Sequence, residues 1–344
     1  MESVRYFLLQ SILLLSLLPL AVNATVVLQY HHIDDNTSVS TSTSIELFKK
    51  HLEYLSKENY EVVPLPAIIL KIQNNEPLNE NTVAITFDDG YESIYRNAFP
   101  LLKAYGMPFT IFIDTAAIEE KRRNHISWEQ VGEMRLSGAT IANHTHNHSH
   151  LIRHLESFDT WKERVSNEII KAQEIIKKRI NQDLKILAYP YGEFCTDTIK
   201  LVSDLGYVAF GQHSGAIDKN SNLQHLPRFP ASNRFGQFPQ LITKLQSIAF
   251  KNLRFEPKYG LLTSDKPNPP VLSIKGDREN LHAINCYGPD GELTKSKNDD
   301  GVVFFKASQA VTTRRFRYNC TAKVEGENKF MWVSVPWINP AIDE

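Results

Sequence analysis

Val83-Ala84-Ile85-Thr86-Phe87-Asp88-Asp89-Gly90 is an apolar run that stops at two carboxylates and a glycine. A helical stretch follows over 94–105, and a second apolar run occupies 109–113. Strand, helix, strand in that order makes a crossover connection, which leaves the two strands parallel. The alternation continues in both directions. Upstream lie the apolar run 26–30, a helix capped by Ser44 with Phe48, Leu52 and Leu55 on one face, and Val62-Val63. Downstream, strands are expected at 140–142, 185–188 and 207–210, with helices at 128–136, 156–180, 196–205 and 238–249. The charged face of 156–180 reads as a solvated outer surface. This many βα repeats predict an α/β fold, a closed or nearly closed distorted (β/α) barrel spanning 25–250.

Chemistry in such folds gathers where strands run into loops. The polar residues at those ends are Tyr30-His31-His32, Asp88-Asp89-Gly90, Asn143-His144, Tyr189-Pro190-Tyr191-Gly192 and Gly211-Gln212-His213. All therefore fall on one rim. After about Lys251 the composition changes: 266–270 is proline-rich and helical periodicity ends. Short runs at 271–274, 301–305, 316–318 and 330–335 predict a small antiparallel β domain over 266–344, with a sandwich as one arrangement open to it.

The N-terminus has a different character. A positively charged start to Arg5, an apolar run over 6–20 and the small residues of Ala21-Val22-Asn23-Ala24 form the pattern of a cleaved signal peptide, residues 1–24. The run is shorter than the roughly 20 residues a membrane span needs, so a secreted or periplasmic protein without a lasting membrane span is expected. A net charge of −1 argues against nucleic acid as a partner. Of three cysteines, Cys286 and Cys320 can pair in an oxidising compartment, and Cys195 reads as a small buried hydrophobe. Oligomeric state is not legible.

Five of twelve histidines lie between His144 and His154. His144 and His148, four apart, meet at one point if the segment turns tightly, and imidazole is a common ligand of borderline transition metals with a carboxylate as third partner. A chance surface cluster is the alternative, and the pair's position on the same rim as Asp88 and Asp89 weighs against it. Neighbouring aspartates at a strand end point in different directions, so one can bind a metal while the other takes a proton. His146 and His150 are expected to flank the site.

Thr86-Phe87-Asp88-Asp89-Gly90 and His144-Thr145-His146-Asn147-His148 resemble the first two motifs of the polysaccharide deacetylases of carbohydrate esterase family 4, the NodB-homology group. Tyr189-Pro190-Tyr191-Gly192 resembles the third. The resemblance implies Asp88 as catalytic base, Asp89, His144 and His148 as ligands of a divalent metal, and the Tyr191 backbone N–H as part of an oxyanion hole, with Tyr189 and Pro190 beside it as substrate contacts. Zinc is the expected ion, and cobalt, nickel or iron would fit the same donors. Two features depart from the pattern: Ala188 stands where many members have an arginine, and the late Leu-x-His-Asp motif is missing. The opening Tyr30-His31-His32-Ile33 instead resembles the circularly shifted branch that includes poly-N-acetylglucosamine deacetylases, which implies His31 as general acid and His32 facing away.

Other candidates keep two readings each. His213 is a substrate contact or a solvated loop histidine. Arg228 takes the place of the missing arginine, touches substrate, or is an ordinary structural arginine. Trp128 stacks on a sugar or belongs to the core. Trp332, Trp337 and Tyr318 bind carbohydrate, fill the small domain's core, or brace the two domains. The expected activity is removal of N-acetyl groups from an N-acetylglucosamine-containing polysaccharide. A carbohydrate-binding protein without catalysis and an amidohydrolase acting on a non-sugar amide are the competing readings.

Overall fold

In the computed structural model, residues 24–343 are described; the leader expected at 1–24 lies outside them but for Ala24. Seven strands, β1 (Val26–Tyr30), β2 (Thr82–Phe87), β3 (Thr110–Ile113), β4 (Thr140–Asn143), β5 (Ile186–Ala188), β6 (Val208–Phe210) and β7 (Phe229–Pro230), form a parallel sheet in the order β7-β1-β2-β3-β4-β5-β6. The short strand Glu61–Val62 pairs beside the start of β2. The sheet curls into the expected distorted barrel. Its seam is bridged by a single segment, which lies along β6 through the Ala209 and Leu226 backbones and then joins β1 as β7.

Strand periodicity decides what faces where. Val26, Leu28, Tyr30, Val83, Ile85 and Phe87 point outward onto the helices. Val27, Ala84, Phe112 and Ala188 point inward. Helix Leu65–Gln73 packs Leu65, Ile68, Ile69 and Ile72 against that inner cluster. The same parity directs Gln29, Thr86 and Asp88 inward, so the barrel interior turns polar toward the strand ends.

The C-terminal region is a two-sheet sandwich. β8 (Val271–Gly276) and β10 (Val303–Lys306) belong to one sheet, and β9 (Asn285–Gly288), β11 (Arg315–Lys323) and β12 (Phe330–Ile338) to the other. Leu272, Ile274, Phe305, Tyr318 and Trp337 meet in its core. Cys286 and Cys320, opposite one another on β9 and β11, form a disulfide; Cys195 is free and buried. Tyr318 and Trp337 are therefore core residues.

Two local expectations change. The helix expected over 238–249 is only Gln240–Leu245, because Ser247–Ile248 leaves it to pair in parallel with Phe330 and Met331 of β12. Helix Leu65–Gln73 went unread because its apolar residues follow prolines in a segment that resembles a loop. β12 also pairs with Gly260–Leu261, and the Ser334 N–H donates to Ser214 O of the barrel at 2.8 Å. Gly260 lies directly on the Trp337 ring, where a Cβ would overlap ring atoms. Gly260→Ala should lower stability by about 1–3 kcal/mol through overpacking, measured by urea unfolding; an unchanged midpoint would mean that this contact is loose.

Candidate active site

The apolar strand β2 ends in Asp88, whose backbone N–H still donates to Tyr30 O at 3.0 Å. Its carboxylate is fully buried inside the barrel. Arg228, equally buried and delivered by the segment that bridges the seam, meets it with a two-pronged fork: Nη1 to Oδ1 at 2.7 Å and Nη2 to Oδ2 at 2.8 Å. The same guanidinium donates to Thr86 Oγ1 and Gly211 O, while Gln29 Nε2 donates to Asp88 Oδ2 at 2.7 Å. Burial is the largest single influence on Asp88 and opposes its ionisation, but the charge and hydrogen bonds of Arg228 together with the pull of His144 and His31 outweigh it, and the pKa lies below the usual carboxylate value.

Asp89 leaves the strand with φ 70°, and Gly90 also has φ 70°. Aspartate tolerates this left-handed geometry better than most residues. The turn carries the Asp89 carboxylate toward β4. There the His144 Nδ1 lies 2.8 Å from Ala188 O, so Nδ1 carries the proton and Nε2 presents a lone pair. That Nε2 faces Asp89 Oδ1 at 3.1 Å, yet both are buried without a hydrogen-bond partner. His148 Nε2 stands 3.2 Å from the same oxygen. It is brought there by a tight loop in which Thr145 and His148 have φ 68° and 52°. One ligand atom from each of the three residues falls within 4.8 Å of the others. Lone pairs converging without a proton between them are satisfied by a cation, and a histidine anchored through its other nitrogen is the usual form of a metal ligand. The trio therefore fits a divalent metal. Burial disfavours the charged form of Asp89, but the two histidines hold it well below its ordinary pKa, so it stands as a carboxylate.

The third motif turns at Tyr191, with φ 58°. Its ring lies 4.2 Å from His150 and 4.5 Å from His148, and the Arg315 guanidinium sits over it at 4.8 Å. Beneath, fully buried Glu193 accepts from Arg314 Nε at 2.7 Å and from Arg315 Nη1 at 3.2 Å, and lies 3.0 Å from His150 Nδ1. The C-terminal sandwich thus reaches into the rim. Sequence reading missed this cluster, since nothing links positions more than a hundred residues apart. It also missed Gln29, for which a buried amide in an otherwise apolar strand was the available signal.

His31 Nε2 stands 3.9 Å from Asp88 Oδ2. His32 faces elsewhere, stacking on Tyr91 at 3.5 Å and approaching Asp34. His146 Nδ1 meets Thr115 Oγ1. Five residues expected to touch substrate are engaged elsewhere. Tyr189 is buried with its hydroxyl donating to Gln224 O, and Pro190 is buried beside it. Arg228 is closed inside the barrel. Trp128 donates to Glu119 beneath the Arg179 guanidinium. His213 is nearly buried against Phe194 and His225, and burial pushes its pKa well down.

The polysaccharide deacetylase family profile matches residues 75–210. YxkH of Bacillus subtilis, whose name places it among the polysaccharide deacetylases, is 30% identical over 208 residues, covering 60% of this chain and 71% of YxkH. The poly-β-1,6-N-acetyl-D-glucosamine N-deacetylase of Escherichia coli is 24% identical over 65% of this chain, but the match spans only 39% of that enzyme. The Staphylococcus aureus enzyme of the same name is 28% identical, covering 58% of this chain and 69% of its own. The solved structure of IcaB from Ammonifex degensii shares the fold, with a TM-score of 0.58 and 22% identity over 65% of this chain and 97% of that one.

Arg228→Met would strand a buried carboxylate and should cost about 3–5 kcal/mol. The folded Asp88 pKa is depressed, so the pair's contribution is present above the ordinary carboxylate pKa and is lost as pH falls through the lowered folded value. Urea unfolding across pH 2–7 should show the mutant losing that acid-side slope. A loss below about 1 kcal/mol at neutral pH, as expected for an exposed pair, would deny the fork its structural role.

Proposed function

Since the chain belongs to the polysaccharide deacetylase family, we propose that it hydrolyses N-acetyl groups from an N-acetylglucosamine-containing polysaccharide, outside the cytoplasm and with a divalent metal. The observation that carries this reading is the convergence of Asp89, His144 and His148 on one point beside an ionised Asp88 locked by Arg228 and Gln29. The disulfide fits an oxidising compartment.

The metal would be held by Asp89, His144 and His148, and when bound it polarises the acetamide carbonyl and acidifies water. Asp88 is the base. A carboxylate offers about four acceptor positions, and the Arg228 fork and Gln29 take three, leaving one to receive the water proton. A low pKa suits a base whose water is already acidified. His31, half-buried and close to Asp88, protonates the departing amine. The Tyr191 backbone N–H donates to the developing oxyanion, and the Arg315–Tyr191–His150 stack holds that turn in its left-handed conformation. Ala188 needs no arginine beside it, because Arg228 reaches Asp88 from the other side of the barrel.

Acetate release from N-acetylglucosamine oligomers should fall to background on chelation and return with added zinc, cobalt, nickel or iron. Release untouched by a chelator would remove the metal from the reaction. Asp88→Asn should lower kcat by about 10²–10⁴-fold while binding metal nearly as wild type does. His148→Ala should lose both metal and activity. An Asp88→Asn protein with normal turnover would reassign the base.

A further inference from the structure

Strand β11 alternates strictly: Phe316, Tyr318, Cys320 and Ala322 enter the sandwich core, whereas Arg315, Arg317, Asn319 and Thr321 face the other way. Arg315 lies on the Tyr191 ring. The next three residues of that face line a cavity of about 610 Å³ between the sandwich and the barrel mouth. The cavity's barrel wall includes His31 and Gln29, the two residues that meet Asp88 from β1 and its end. Its far wall carries the half-buried Trp332, packed on Phe229 at 5.3 Å, and the exposed Tyr287. Aromatic faces, amides and hydroxyls around a space of this size suit a sugar residue.

The charge of the lining is one-sided. It contains the cations Lys244 and Arg317 and no Asp or Glu. Lys244 is committed, donating to Pro230 O and Phe235 O. Arg317 has no hydrogen-bond or ion-pair partner among the described residues, unlike Arg314 and Arg315 beside it. Burial, with Arg315 adding to it, pushes its guanidinium down to about 10, as expected of a cation without a counter-charge. A guanidinium is built to take a carboxylate or phosphate in a two-pronged fork.

We propose that this cavity is the subsite for the sugar next to the one being deacetylated, and that Arg317 there recognises an anionic group, a carboxylate or a phosphate, on the glycan. The identity of the ligand as a glycan rests on the deacetylase reading; the charge preference rests on the cavity alone. The charge also favours turnover in one direction, because the ammonium of a deacetylated neighbour would meet Arg317 unfavourably.

The test compares three oligomers of equal length on the full chain with zinc: neutral N-acetylglucosamine, alternating N-acetylglucosamine and glucuronate, and phosphate-bearing N-acetylglucosamine. Calorimetry gives Kd and acetate release gives kcat/KM. At least one anionic oligomer should bind about tenfold more tightly than the neutral one, and the uronate and phosphate arms identify which anion. Arg317→Met should bring that ratio close to one, and Arg317→Lys should leave it intermediate, which also covers a Met variant that folds poorly. Equal or tighter binding of the neutral oligomer, or a ratio unmoved in Arg317→Met and Arg317→Lys, would overturn the proposal. Anionic binding through Arg317 with acetate released from no oligomer would uphold the anion recognition and defeat both the deacetylase reading and the subsite's place beside a reacting sugar.

Discussion

A carboxylate inside a protein is tolerated only when its charge is answered nearby, and Asp88 is answered by Arg228. That requirement organises much of the barrel. The bidentate fork needs the guanidinium deep among the strand ends, so the segment after β6 must cross the seam and deliver it. The same crossing pairs β7 with β1 and brings Ala231 N–H to Gln29 O. The closure of the ring and the ionisation of one aspartate are therefore consequences of a single placement. With Asp88 fixed, the left-handed step at the next residue turns Asp89 outward to the histidines, which keeps the two carboxylates in separate environments.

Much of this was legible because barrels repeat a simple pattern. Apolar runs such as 83–87 and 109–113 announce strands, and each run's last residues fall on one rim. Asp89, His144 and His148 were readable for that reason, and the structure brings them together. What stayed hidden depends on distance along the chain. Arg228 follows Pro227 in an irregular segment; the sequence offered it as a replacement for the missing arginine among other roles, and the closed ring selects that one by facing it to Asp88. Tyr189 and Pro190 were drawn to the surface by their motif, whereas side-chain parity sends Tyr189 into the packing around Phe194. The missing arginine at 188 marked a real gap, filled from the opposite edge of the sheet.

The C-terminal sandwich was legible as strands but not as a neighbour of the rim. Its hydrophobic core is self-contained, with Tyr318 and Trp337 inside. Its outward face is not inert: Arg314 and Arg315 close around Glu193, and Trp332 packs on Phe229 of the barrel. Alternation along one strand thus serves two bodies, with one parity holding the sandwich together and the other addressing the site.

The Glu193 clamp also has a meaning in time. Its arginines lie 121 and 122 positions further along the chain, so a ribosome adding roughly 5–20 residues per second delivers them on the order of ten seconds after Glu193. During that interval the nascent barrel holds Glu193 without its two arginine partners, and the Tyr191 turn has no guanidinium above it. Maturation of the rim therefore waits on the end of translation. A chain interrupted before β11 carries Asp89, His144 and His148 and lacks the Arg315 guanidinium that covers the turn beside them.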